Sequence, residues 1–82
     1  MAVRRGLEKY VNRSGSSGVV AYQVESDSIT VEFVDGWHYS YTYESAGADN
    51  VEHMKVLAAQ GQGLSGFISK TVRNDYASKY RP

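Results

Sequence analysis

The side chains best suited to acid–base chemistry in this sequence are two histidines, His38 and His53. A general acid–base pair needs two titratable groups that are held together with separated pKa values. Neither histidine has an Asp or Glu at a spacing that indicates such a pair, and His53 lacks the i+4 partner of a helical zinc motif. We therefore expect structural or surface roles for both histidines, and we expect no metal and no cofactor.

The segment 61–66, with the sequence GQGLSG, superficially resembles a phosphate-binding loop. It lacks the Lys-Ser/Thr ending of such loops, and it follows a predicted helix where a strand is required. It is better interpreted as the end of one helix and the start of the next. Ser16, Ser17 and Ser65 would be nucleophiles only beside a base, and none is identifiable. We therefore expect a protein without enzymatic activity.

Aromatic residues recur at alternate positions in the segment 37–43. On an exposed sheet such rings stack nucleic-acid bases, at roughly 1 to 3 kcal/mol for each base. On a buried face each ring instead removes about 150 to 250 Å² of surface from water. A chain with few Leu or Ile needs this burial to stabilise its core. The predicted strand register places Tyr39 and Tyr41 in the core, and it does not decide whether Tyr43 is buried.

Positive charge is concentrated at the two ends of a chain whose net charge is zero. Residues 14–54 contain seven acidic residues and no Lys or Arg, whereas residues 55–82 contain five basic residues and one acidic residue. A basic patch on the folded chain would favour the binding of RNA or single-stranded DNA. The alternative is that the basic ends only balance the negative charge of the acidic middle segment. The candidate nucleic-acid contacts are Lys70, Arg73, Lys79 and Arg81.

Length and composition indicate one small domain, since 82 residues leave no room for a second core. The absence of Cys excludes disulfides and thiolate metal sites, so the hydrophobic core must stabilise the fold. No stretch approaches the roughly 18 apolar residues of a membrane span, and residues 1–6 lack the apolar core of a signal peptide. We expect a cytoplasmic protein with a basic leader and Gly/Ser loop over residues 1–18 and a single domain over residues 19–82.

Alternating apolar and polar residues predict a three-stranded antiparallel meander, with strands at about 19–25, 29–34 and 37–43. Directly opposed residues of an antiparallel pair lie on the same side of the sheet, so the loops decide which residues share a face. An even loop at Ser26-Asp27 would oppose Val24 to Ile29, Tyr22 to Val31 and Val20 to Phe33.

The loop between the second and third strands has two possible forms. A two-residue type I′ turn at Asp35-Gly36 would place the tyrosines on the same face as Glu32. A three-residue loop with Gly36 in the left-handed conformation instead opposes Phe33 to Trp37. We choose this bulged loop, because it gathers the large apolar residues on one face.

Two helices at about 50–60 and 66–76 are predicted to cover that face, which makes the fold class α+β. Asp49 and Ser65 have the positions of N-caps, and Gly61 ends the first helix. Residues 77–82 are expected to fray.

Several short motifs follow one another in a recognisable order: Ser17-Gly18-Val19-Val20-Ala21-Tyr22, Val31-Glu32-Phe33, Gly36, a Tyr-x-Tyr, Gly66-Phe67-Ile68, Val72-Arg73 and Tyr76. This order resembles the KTSC domain, which is found at the C-terminus of some lysyl-tRNA synthetases and as a small bacterial protein. The resemblance covers about residues 16–80, and the family's Tyr-x-Tyr maps onto Tyr39-Ser40-Tyr41 or, equally well, onto Tyr41-Thr42-Tyr43. This chain departs from the pattern in its longer connection over residues 44–50 and in its basic leader.

The resemblance implies a modest functional expectation, since no activity is established for that family and RNA is suggested only by the synthetase context. We therefore expect a weak RNA-binding module. The alternative is a protein-interaction or assembly module that uses an exposed sheet edge or helix face. Added salt separates the two, because phosphate contacts weaken steeply with salt and apolar interfaces do not.

Overall fold

A computed structural model of the chain describes residues 7–13, 15 and 17–82. Residues 1–6, 14 and 16 of the predicted leader and loop lie outside the described residues. The fold is α+β, with a five-stranded antiparallel sheet in the order β1-β2-β3-β4-β5. The strands are β1 (Glu8–Lys9), β2 (Val19–Glu25), β3 (Ser28–Phe33), β4 (His38–Thr42) and β5 (Ser78–Tyr80). The helices are α1 (Tyr43–Ala46), α2 (Ala48–Gln60) and α3 (Leu64–Phe67), which continues as a π-helical turn over Ile68–Val72.

The hairpin of β2 and β3 has the predicted register over most of its length, with Val24 opposite Ile29 and Tyr22 opposite Val31. The predicted pairing of Val20 with Phe33 is wrong, because a β-bulge near Val20 brings Val19 opposite Phe33. Val19 is consequently buried on the apolar face, and the Val20 side chain is exposed.

The loop between β3 and β4 is the predicted bulged loop. The Phe33 amide donates to the Trp37 carbonyl at 2.9 Å, and Gly36 has a φ of 93°. This loop aligns the two strands so that the large residues share one face. The register pairs Val31 with Tyr39 and Ile29 with Tyr41, as predicted.

Gly36→Val is expected to lower the free energy of unfolding by more than about 1–2 kcal/mol, because L-residues rarely adopt this backbone conformation and a β-branched residue is the poorest choice. The strain arises from the backbone, since a Cβ at Gly36 would meet only the Arg81 side chain, at 3.6 Å. Urea unfolding of Gly36→Val and Gly36→Asn checks this, because Asn tolerates the left-handed region and should cost less. Near-native stability of Gly36→Val would contradict the described turn.

Two short edge strands extend the sheet beyond the predicted meander. Residues 77–82 do not fray as a whole, because Ser78–Tyr80 pairs with β4, and Glu8–Lys9 pairs with β2. Strands of two and three residues are too short for an alternating pattern to be recognised in a sequence.

The helix starts and ends differ from the predicted ones. Thr42 forms a capping box with Ser45, so a short helix occupies the connection that follows β4, and α2 then begins at Ala48 with Gly47 as its N-cap. Asp49 and Ser65 are therefore not N-caps, since each lies inside a helix. The second predicted helix starts at Leu64 and its π-helical turn ends at Val72, four residues before the predicted end.

The core lies between the apolar face of the sheet and the helices. The segment before β2 closes one end of it: Tyr10 is buried, and its hydroxyl accepts a hydrogen bond from the Leu64 amide at 3.3 Å. Arg13 provides hydrogen-bond donors for two carbonyl groups at the end of α2. Its backbone amide donates to the Gly61 carbonyl and its Nε donates to the Gln60 carbonyl, both at 2.7 Å. The largest fully buried residues are Tyr41, Ile29, Met54, Leu64, Val19, Val31, Val51 and Val72.

Candidate functional site

A groove opens where the chain leaves its last helical turn and returns to the sheet. The return is made by residues 73–77, and the Ala77 amide donates to the Ser40 carbonyl at 2.7 Å, which places β5 beside β4. The groove has a volume of about 280 Å³. Its aromatic and basic lining residues are Phe33, Tyr39, Tyr41, Tyr76, Arg73 and Lys79.

The rings in the groove pack edge to face, which is a favoured arrangement for aromatic pairs. Ring centroids of Tyr39 and Tyr76 are 5.1 Å apart, those of Phe33 and Tyr39 are 5.5 Å apart, and those of Tyr41 and Tyr76 are 6.4 Å apart. Tyr41 is 1% exposed and belongs to the core, as predicted, whereas Tyr39 is half-buried and forms part of the groove. Tyr43 lies on α1 and its exposed hydroxyl donates to Glu52 at 2.6 Å.

Lys79 lies above three of these aromatic rings. It pairs with Tyr39 across the β4–β5 ladder, so both side chains lie on the groove side of the sheet. Its Nζ is 5.4 Å from the centroid of the Trp37 ring, 5.6 Å from that of Tyr76 and 6.0 Å from that of Tyr39. Cation–π contacts of this kind contribute about 0.5–1 kcal/mol at exposed sites.

Only two of the four predicted basic contacts line the groove. Arg73 and Lys79 do so, and both side chains are exposed. Arg81 follows β5 and its side chain lies against Gly36 in the β3–β4 loop, and the exposed Lys70 lies on the π-helical turn outside the groove lining. The structure therefore does not arrange all four residues around one groove.

The hydroxyl group of Tyr41 is held in its neutral form. Burial, together with the neighbouring Tyr39 and Tyr76 hydroxyls and the Asp75 carboxylate, raises the pKa of Tyr41 to about 12. At neutral pH the floor of the groove therefore carries a hydrogen-bonding group without a charge. The charged lining residues are Arg73 and Lys79, and the Asp75 carboxylate lies near Tyr41 outside the lining.

The two histidines lie apart from the groove. His38 is on the opposite sheet face, as predicted, but it is buried, because its ring stacks on Tyr80 with the centroids 4.7 Å apart. His53 lies on α2, where its ring contacts Phe67. Within residues 7–13, 15 and 17–82, no group of three or more His, Asp or Glu side chains is placed to hold a metal ion.

Sequence reasoning did not assign Trp37 and Tyr76 to a site, although both belong to the aromatic lining of Lys79. The missing information was the pairing of β5 with β4, which brings Lys79 opposite Tyr39. The turn over residues 73–77 then places Tyr76 beside the same rings.

No helix in the described part of the chain has the length and apolar character needed to cross a membrane. No family model, curated protein or solved structure matched the chain. The similarity to the KTSC domain therefore stays a prediction that is based on the residues themselves.

Proposed function

We propose that the groove binds single-stranded nucleic acid weakly and without sequence preference, with RNA as the expected ligand. The observation that supports this function most directly is that Arg73 and Lys79 line the same groove as the half-exposed rings of Tyr39 and Tyr76. Proteins that bind single strands combine basic side chains along the backbone with aromatic rings on which bases stack. The similarity to a domain that occurs in lysyl-tRNA synthetases supports the same proposal.

The groove suits one planar group. Its volume of about 280 Å³ lies just below the range of about 300–1,000 Å³ that is typical of small-molecule sites. We propose that one base packs against the accessible surface of the Tyr39 and Tyr76 rings, which contact each other edge to face, and that the neutral Tyr41 hydroxyl offers it a hydrogen bond. Arg73 and Lys79 then contact the adjacent phosphates, and Lys70 and Arg81 contact phosphates farther along the strand.

The affinity is expected to be low, because the net charge of the chain is zero and Asp75 lies near the groove. Four phosphate contacts predict a slope of about −3 for the logarithm of the binding constant against the logarithm of salt concentration, at roughly 0.7 per contact for single strands. Lys70→Ala/Arg73→Ala should halve that slope without unfolding the domain, because both side chains are exposed.

The measurement is a titration of labelled RNA and labelled single-stranded DNA at several salt concentrations, starting near about 50 mM. Lys9→Ala is the matched control, because Lys9 is an exposed basic residue on β1, at the opposite edge of the sheet. An unchanged slope in Lys9→Ala and a halved slope in the double variant would support the groove as the site. Absence of binding to either nucleic acid would reject the proposal in favour of the protein-interaction alternative.

A further inference from the structure

The β5 strand is attached to the sheet in the way that proteins bind extended peptides. In strand addition, backbone hydrogen bonds to a sheet edge provide affinity, and recesses for alternate side chains provide specificity. Ser78–Tyr80 pairs antiparallel with β4, and successive side chains of β5 contact opposite faces of the sheet.

On the groove side, the strand presents the ammonium group of Lys79 to three rings. The Nζ atom lies within 6.0 Å of the centroids of Trp37, Tyr39 and Tyr76. Clustered aromatic rings of this kind recognise ammonium groups through the negative faces of their π systems. The recess therefore selects a cation in preference to a carboxylate at this position.

On the other side, the strand presents Tyr80 to a buried histidine. The rings of Tyr80 and His38 are nearly parallel, with an interplanar angle of 16° and centroids 4.7 Å apart. The His38 ring is held in place, because its Nδ1 is 3.0 Å from the Gly36 carbonyl oxygen and its Nε2 is 3.8 Å from the Glu32 carboxylate. This arrangement provides a preformed flat surface for an aromatic residue that follows the lysine.

The β5 strand covers this edge as a short and exposed segment. It is three residues long, each residue is exposed, and Tyr80 retains 51% of its accessible surface. Such a segment belongs to the low-stability part of a fold, which opens locally without global unfolding. When it opens, the backbone groups on the outer edge of β4 lose their partners and become a template for another strand.

We propose that the β4 edge is a peptide-binding site for an extended segment of a partner protein in which a lysine is followed by an aromatic residue. Residues 78–80 are the internal occupant of this site. The partner's lysine would take the place of Lys79 over the three rings, and its aromatic residue would stack on His38. This inference does not rest on nucleic-acid binding by the groove.

An internal occupant competes with the partner at an effective concentration that reaches the millimolar range for a short connection. The apparent dissociation constant of an added peptide therefore equals the intrinsic constant divided by the fraction of molecules in which the edge is uncovered. Weakening the two side-chain contacts of β5 should uncover the edge and tighten peptide binding.

The test uses the full chain and a synthetic peptide with the sequence of residues 77–82, ASKYRP. Trp37 is the only tryptophan of the chain, so its fluorescence reports directly on the recess. Lys79→Ser/Tyr80→Ser is expected to bind the peptide at least about tenfold more tightly than the unmodified chain does, because its internal competitor is weaker. Lys9→Ser, which removes an exposed charge on β1 at the opposite edge of the sheet, should bind like the unmodified chain.

A second peptide that carries Lys79→Glu tests whether the rings select a cation, and it is expected to bind at least about tenfold more weakly than the first. Circular dichroism verifies that the double variant is folded, and Tyr80→Ser alone replaces it if it is not. Equal affinities for the two peptides, or for the variant and the unmodified chain, would overturn the proposal. Self-association of the variant in place of peptide binding would assign the edge to a second copy and would also overturn it.

Discussion

Tyr41→Ala is expected to lower the free energy of unfolding by about 3–5 kcal/mol, the range for removal of a core aromatic side chain. Tyr41 is 1% exposed, lies opposite Ile29 in the sheet and packs its ring against Tyr76. A cavity at this position would disturb both the core and the floor of the groove. Urea unfolding followed by circular dichroism measures the loss, and a small domain with a stability near 5 kcal/mol would be largely destabilised by it.

Two companion variants separate the contributions of Tyr41. Tyr39→Ala should cost less, because Tyr39 is half-buried at the groove, and an equal or larger loss would contradict the described burial. Tyr41→Phe keeps the ring and removes the titrating hydroxyl. The pKa of Tyr41 rises from 10.0 to about 12 on folding. The protonated Tyr41 hydroxyl therefore stabilises the folded state fully below pH 10, and this contribution to the free energy of unfolding is lost as the pH rises toward 12. Tyr41→Phe should therefore lose less stability than the unmodified chain over that interval.

Gly61→Ala is expected to be the second strongly destabilising change, at about 2–5 kcal/mol. Gly61 has a φ of 75°, and a left-handed conformation costs an L-residue about 1–2 kcal/mol. A Cβ at this position would also lie 2.7 Å from the Cβ of Val11, so the segment before β2 would have to move away from the end of α2. Overpacking of this kind adds about 1–3 kcal/mol.

Gly15→Ala is the matched control for the backbone contribution, because Gly15 has a φ of 76° and a Cβ added there would meet nothing within 4 Å. Its cost should be limited to about 1–2 kcal/mol. Val11→Gly removes the Cβ that the methyl group introduced by Gly61→Ala would meet, so combining the two changes should show a favourable coupling energy in a double-mutant cycle. Equal losses in Gly15→Ala and Gly61→Ala would contradict the close contact with Val11.

The central part of the sheet could be predicted because the sequence patterns that specify it lie within short, consecutive segments. Alternation identified β2, β3 and β4, and the choice of the loop that gathers the large apolar residues on one face selected the correct register of Tyr39 and Tyr41. The bulge at Val20 could not be predicted, since it depends on how Val19 packs in the core. The end of the second helix was missed because its last turn is π-helical, a form without a sequence signature.

The candidate site could be predicted only in part. Charge identified Arg73 and Lys79 as candidate contacts, and alternation placed Tyr39 on the same face as the other large residues. Their meeting in one groove depends on the pairing of β5 with β4, which is a contact between segments about 40 residues apart, as Tyr39 and Lys79 show. Pairings of this kind depend on the whole fold, and a three-residue strand has no sequence pattern from which they can be predicted.

The contacts of Tyr10 and Arg13 with the end of α2 also have a kinetic consequence. The hydrogen bond between Tyr10 and Leu64 spans 54 residues, and closing a loop of that length costs about 2 kcal/mol more entropy than closing a four-residue turn. We therefore expect the hairpins of the meander to form before the segment that contains Tyr10 and Arg13 docks, and we expect this segment to detach before the meander unfolds. Gly61→Ala should accordingly accelerate unfolding in stopped-flow experiments while leaving the folding rate nearly unchanged.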